Sequence, residues 1–367
     1  VHSPSPPSTR EEIAIVATGA RTPLGLSAPA TAAAVRGGLS MMREHQFMVD
    51  KRGEPMVVSA DAELPADLTG IDRLLALAQA PALEALQPLL GRNAELPAIC
   101  VLLALPADRP GRPRDLERGF IREFSTSLAA EVAINTVDCC AYGHAGGLVC
   151  LERALRRIRS GESDLCLVGG VESYLEPLTL EWLDSINQLH SESTIWGICP
   201  GEGAGFCLLA SPTLRDRLDL QSTVELLSAG SAHEANLVRT DTVCIGEGLS
   251  EAFGTALARL RSDGAQVDHT ICDMTGEPYR GNEYGFAMLR LARRFAGESD
   301  FETPADCWGD VGSASGPLFA MLASFAVLKD YAPGPFTLLW ASSEDGARAA
   351  ALLKAAPLTD RRSAELP

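Results

Sequence analysis

The chain has 367 residues, of which 46% are apolar and 22% charged, enough apolar material for a large core in one or two domains. A formal charge of −17 repels a polyanion, which sets nucleic acid aside as a partner. The ten cysteines are scattered, several of them in apolar runs (Cys100, Cys166, Cys207, Cys244, Cys272), and no two have Cys-x-x-Cys spacing. That usage fits reduced, buried thiols and speaks against a disulfide framework or a metal site.

Residues 1–12, VHSPSPPSTREE, are rich in Pro and Ser and are expected to form a disordered tail. They lack a basic-then-apolar signal pattern, and the apolar run from Ala98 to Leu105 is too short to cross a bilayer. A cytoplasmic protein without membrane contact is expected. Ile13 to Gly25 reads as an apolar strand ending in a Gly turn, and Pro29 to Gly38 as a helix with proline in its first turn. Met41 to Leu64 is less regular. Ile71 to Leu90 has helical apolar periodicity, Ala98 to Ala104 reads as a buried strand, and Pro106 to Pro113 as a Pro/Arg loop.

The stretch Glu131 to Glu172 carries the strongest pattern. It opens as a strand, turns through Tyr142-Gly143-His144-Ala145-Gly146-Gly147, and continues as a helix with Leu148, Leu151, Leu155 and Ile158 at helical spacing. Arg153, Arg156, Arg157 and Arg159 fill the other, solvated face. A Gly161-Glu162-Ser163 turn follows, then the buried strand Asp164 to Val168 closing on Gly169-Gly170. Tyr174 to Leu183 reads as a helix, and Gly201, Gly203 and Gly205 allow two backbones to approach closely. After a polar linker, Ser211 to Gln221, a second half repeats the plan. Thr223 to Leu227 answers the opening strand, Ser250 to Leu260 is a helix, Val267 to Asp273 a strand, and Phe336 to Trp340 the closing strand.

The run RSGESDLCLVGGVE, followed by PGEGAGFCLLA at Pro200 to Ala210, resembles the β-ketoacyl synthases of the thiolase superfamily. The opening ATGARTPLG is similar to that family's first strand and turn. The resemblance implies an α/β, five-layered αβαβα fold of two similar halves, here residues 13–215 and 222–367, and no cofactor. It also implies a nucleophilic cysteine at the strand-to-helix elbow, where the helix N-terminus lowers a thiol's pKa. Counting back from Gly161 with the family's spacing, that position falls on His144. Counting forward from the strand, it falls near Cys140, and Cys140-Ala141-Tyr142-Gly143 would fit the family's Cys-x-x-Gly. A neutral His144, disfavoured from protonating by the positive helix end, is expected.

A decarboxylating condensation needs a thiolate and two imidazoles. The family takes the imidazoles from two turns in its C-terminal half, and the similar turns here place Asp273 and Asp310 there, with Ala305 where a lysine is usual. A carboxylate at a turn also has a purely structural use, capping backbone N–H groups. No histidine follows His269, and His233 and His269 read as structural. Ile198 stands where the family has an aromatic pocket residue, and Trp196 where it has a polar one.

These departures imply a ketosynthase-like fold without condensing machinery, acting by binding an acyl or protein partner. The alternatives are an acyltransferase or thioesterase-type enzyme using His144 or Cys140, with Asp273 or Asp310 as acid or base, and a structural dimer module. The partners implied are a second copy, meeting along an edge strand near Ala98 to Ala104 or at the elbow, an acyl carrier protein, acyl-CoA or another protein. No basic run suited to an acidic carrier protein is evident.

Overall fold

The computed structural model describes residues 12–92, 95–238, 240, 242–260, 264–297 and 301–356. The expected N-terminal tail, up to residue 11, and the last residues of the C-terminal half lie outside these. In chain order the first half contains β1 (Ile13–Arg21), α1 (Ala28–Arg36), β2 (Arg43–Val49), β3 (Pro55–Val58), α2 (Gly70–Leu86), β4 (Ile99–Ala104), α3 (Leu116–Ala129), β5 (Ile134–Cys140), α4 (Gly146–Ser160), β6 (Leu165–Ser173), α5 (Pro177–Ser185), β7 (Glu202–Ala210) and α6 (Pro212–Leu218). The second contains β8 (Val224–His233), α7 (Glu247–Ala256), β9 (His269–Cys272), α8 (Pro278–Leu291), β10 (Phe301–Glu302), α9 (Ala305–Trp308), α10 (Ser315–Leu328), β11 (Phe336–Ser342) and β12 (Ala347–Ala355).

The ten strands of the large sheet run in the order β10-β9-β11-β12-β8-β1-β7-β6-β4-β5. Within this sheet the two halves meet where Ile13, Ala14 and Ile15 pair with Leu226, Glu225 and Val224. Outward from that junction each half has the same sense of pairing. β1-β7-β6 is antiparallel and β6-β4-β5 parallel, as β8-β12-β11 is antiparallel and β11-β9-β10 parallel.

Side-chain alternation sorts the strands into layers. Cys100, Leu102 and Ala104 of β4, with Leu339 and Ala341 of β11, share one core with the central helices α4 and α10. The intervening Val101 and Leu103 pack outward with α2 and α3, and Leu338 and Trp340 with α7 and neighbouring α8. The result is the five-layered αβαβα thiolase-like architecture. Among the described residues no helix is long and apolar enough to cross a membrane.

Several elements differ from expectation. β6 runs on through the Gly pair to Ser173, and α5 starts only at Pro177. The expected linker Ser211 to Gln221 contains α6, capped by the Ser211 hydroxyl. The second half closes with β12 rather than β11. Ala98 to Ala104 is not an edge. β4 is hydrogen-bonded on both sides and every one of its residues is buried, so the edge of the first half is β5.

α4 and α10 touch at their first turns. A Cβ on Gly147 would lie 2.5 Å from Pro317 Cδ, and one on Gly316 2.6 Å from the Leu148 nitrogen. Gly316→Ala is therefore expected to lower stability by about 1–3 kcal/mol through overpacking. Gly254→Ala is the control, since its Cβ would meet nothing within 4 Å and alanine is the better helix former. Urea denaturation midpoints of the two variants should move in opposite directions.

Candidate functional site

β5 delivers the chain to a 3-10 turn, Gly143–Ala145, which leads directly into α4. Gly143 has φ +57°, the left-handed conformation that makes the corner tight. The corner is closed from the second half by Ser343. Its hydroxyl donates to the Tyr142 carbonyl and accepts the Ala145 N–H at 2.9 Å, so one donor at the start of the helical segment is already satisfied.

His144 lies at the middle of this turn and is 5% exposed. Its Nε2 sits 2.7 Å and 2.8 Å from the two carboxylate oxygens of Asp310. Asp310 is fixed in turn by the Gly312 N–H at 2.9 Å, and its backbone is clamped to the turn before β7 by hydrogen bonds with Cys199 and Gly201. Arg280, on the first turn of α8, approaches His144 Nε2 to 3.3 Å. Arginine only donates, and Nε2 offers its proton to Asp310, so this approach sets two donors side by side in the field of the carboxylates. Arg280 also bonds Asp273, the Ser342 carbonyl at 2.6 Å and Glu277 at 3.2 Å.

Burial alone would keep His144 neutral, but the adjoining Asp310 carboxylate outweighs it and raises the imidazole above its usual pKa. The expectation of a depressed His144 is overturned. A contact charge at hydrogen-bond distance exceeds the partial charge of a helix end. Asp310 moves the other way: burial pushes it up, yet the His144 and Arg280 charges bring it to about 2. Asp273 is pushed up by burial despite Arg280, and among the described residues its Oδ1 has no hydrogen-bond partner.

The structure thus brings His144, Asp310 and Asp273 into one buried cluster of alternating charge with Arg280. Asp273, Ala305 and Asp310 border a common cavity of about 10 Å³, room for about one water. Two other residues lie elsewhere. The Cys140 thiol points into the core, 3.6 Å from Cys150 Sγ and 3.7 Å from the Gly146 carbonyl. Ile198 is buried in a separate apolar cluster with Met56, Val58 and Leu180, while Trp196 is exposed.

Sequence reasoning missed Arg280 and Ser343, and also Glu172, which ends the Gly-Gly strand. Glu172 accepts from Arg109 at 2.6 Å and from the Ser313 N–H at 3.2 Å, and Arg109 lies 4.2 Å above the Tyr174 ring. The acidic residue after Gly169-Gly170-Val171 was a usable signal, because an ionic side chain at the end of a buried strand requires a partner. Arg280 gave none, since one arginine behind a helix-opening proline looks like surface.

A sequence profile of the family "Beta-ketoacyl synthase, N-terminal domain" matches residues 140–213, which span the elbow, α4, the Gly-Gly strand and β7. A highly reducing polyketide synthase of Cordyceps militaris is 26% identical over 165 residues, 42% of this chain and 6% of that protein. The chain therefore spans a small fraction of that relative's length. Among solved structures, a type II polyketide synthase acyl-carrier protein in complex with its ketosynthase has TM-score 0.79 at 15% identity, covering 95% of this chain and 100% of that one. The ishigamide ketosynthase/chain length factor gives TM-score 0.77 at 17% identity, covering 95% and 100%. A ketosynthase in complex with its chain length factor from Xenorhabdus doucetiae gives 0.70 at 16%, covering 96% and 100%. At these identities the structures show the fold alone, that of the ketosynthases, and the matched profile adds sequence similarity to β-ketoacyl synthases over residues 140–213, so the chain is ketosynthase-like in fold and in its elbow region.

Proposed function

We propose that this chain is a non-condensing ketosynthase-like subunit that acts in the cytoplasm by binding a protein partner. One observation carries the reading: the elbow side chain is an imidazole tied by its Nε2–H to Asp310 inside a buried charge cluster. A nitrogen that carries a proton has no lone pair for an acyl group, and a protonated ring is not a nucleophile. Asp273 and Asp310 would also repel the enolate of a decarboxylation, where oxyanion donors are needed. The 10 Å³ cavity beside them holds no acyl chain. Cys140 is an alternative nucleophile only if its thiol leaves the contact with Cys150.

The partner surface we favour is the outer edge of β5, where Asn135 and Thr136 are exposed and, among the described residues, no further strand is paired. An edge strand is a template for another chain, so either a second copy or a catalytic ketosynthase fits. That solved neighbours are a ketosynthase with a chain length factor and a carrier protein with its ketosynthase supports this direction.

The test is intact-mass spectrometry and CO2 release after incubation with malonyl and acyl thioesters on CoA and on acyl carrier protein. No adduct and no release are expected from the purified chain. A turnover or adduct that disappears in His144→Ala or Cys140→Ala would replace the binding reading by the acyl-transfer one.

A further inference from the structure

A cavity of about 470 Å³ lies away from the elbow cluster, between the β2–β3 hairpin, the segment from Val58 to Thr69 and the start of α5. Its volume falls within the roughly 300–1,000 Å³ of small-molecule sites. Apolar groups make the walls, among them Met48, Val58, Leu64, Leu68, Leu175 and Pro177.

The far wall is held open by buried ion pairs. Arg73 makes a two-pronged contact with Glu202, both arms at 2.6 Å, and its remaining nitrogen holds the Pro65 and Leu68 carbonyls at 3.0 Å. Asp61 binds Arg21 at 2.7 Å, and its N–H binds Glu202 at 2.8 Å. Glu176 accepts the Gly70 N–H. Three charged residues of the lining, Asp61, Arg73 and Glu176, are therefore occupied in building the wall rather than facing a ligand.

The hairpin side is different. β2 and β3 lose register between Glu44 and Val49, and the intervening residues curl so that Phe47 and Met48 donate their N–H groups to His45 Nδ1 at 3.2 Å and 3.1 Å. An Nδ1 that accepts two bonds leaves the proton on Nε2, and burial lowers the pKa of His45, which keeps the ring neutral. Arg43 has one hydrogen bond, to the Ala60 carbonyl at 2.7 Å, and no ion pair among the described residues. Glu44 follows it, so the two charges at the rim balance.

We propose that this cavity binds a small uncharged amphiphile, an alkyl or acyl chain carrying an amide-like head. The chain would lie against Val58, Leu64 and Leu175, and the head would accept from Arg43 or His45 Nε2–H. A balanced rim gives a charged head no compensation for leaving water, and the preformed wall spares the ordering cost of closing a site on the ligand.

Isothermal titration calorimetry of the whole chain with octanamide, octanoate and octylamine tests this. Octanamide is expected to bind with the two charged analogues at least tenfold weaker. Ala62→Trp, at an exposed position of the lining, should abolish binding by filling the cavity while the circular dichroism spectrum stays unchanged. Arg43→Ala should weaken binding by about tenfold, the loss of one hydrogen bond from a charged donor. No heat from octanamide up to its solubility, equal affinity for all three probes, or unchanged binding in Ala62→Trp would each overturn the proposal.

Discussion

Arg280→Met is expected to destabilise the fold by about 3–5 kcal/mol, the range for removing one partner of a buried ionic cluster. Arg280 has 0% exposure and touches Asp273, Glu277 and the neighbourhood of His144. Methionine replaces its volume but leaves Asp273, among the described residues, with only the Ser342 N–H, at 2.8 Å. Burial already pushes Asp273 up, so in the variant it should take up a proton. Arg280→Met combined with Asp273→Asn should therefore recover part of the loss, because the orphaned charge is gone. Arg280→Lys should fall between, keeping the charge without the planar fork that reaches Asp273, Glu277 and the Ser342 carbonyl together. Urea denaturation at pH 7 measures all three. A loss below about 1 kcal/mol for Arg280→Met would mean that the cluster is solvated and the elbow open to water.

That arginine marks the limit of what the sequence discloses. α4 was legible because Leu148, Leu151, Leu155 and Ile158 repeat at helical spacing between a Gly-rich corner and Gly161, which caps the helix with φ +79°. Its counterpart α10 was not, because its residues are buried nearly all round and leave no polar face to set a period. β12 escaped for a related reason: Ala349, Ala350 and Ala351 are small and apolar on both faces, and nothing alternates. The edge strand was misplaced although a signal existed. Ile99 to Ala104 is apolar without a break, as a strand covered on both faces must be, whereas Asn135 and Thr136 put polar groups on β5. His144, Asp273 and Asp310 were legible as positions in turns. Their contact was not, because 166 residues separate His144 from Asp310 and only the pairing of the two halves brings those turns together.

The same contact gives the second large effect, in the titration of His144. In the parent chain the ring should titrate above its ordinary value of about 6.5, as the imidazolium is held by Asp310. Asp310→Asn removes the contact charge and leaves two influences that disfavour the cation, burial and Arg280. Asp273 remains as a weaker attraction. The pKa of His144 is therefore expected to cross from above 6.5 to below it. Stability should follow with opposite signs for the two partners. The raised His144 contributes stability that is complete below about pH 6.5 and fades as pH rises through its folded-state pKa. Asp310, depressed to about 2 from 3.8, contributes stability present above about pH 4 and lost as pH falls through about 2. Relative to Asp310→Asn, the parent should be most favoured between about pH 4 and pH 6.5, by roughly 2 kcal/mol or more from the carboxylate alone, with the gap narrowing toward pH 9. Nitrogen-15 imidazole shifts of His144 recorded against pH in both proteins, together with denaturation midpoints at pH 5 and pH 9, measure this directly. If His144 of the parent titrates below 6.5, or if its pKa does not fall in Asp310→Asn, the imidazole is free of its carboxylate and its Nε2 regains the lone pair that acyl transfer requires.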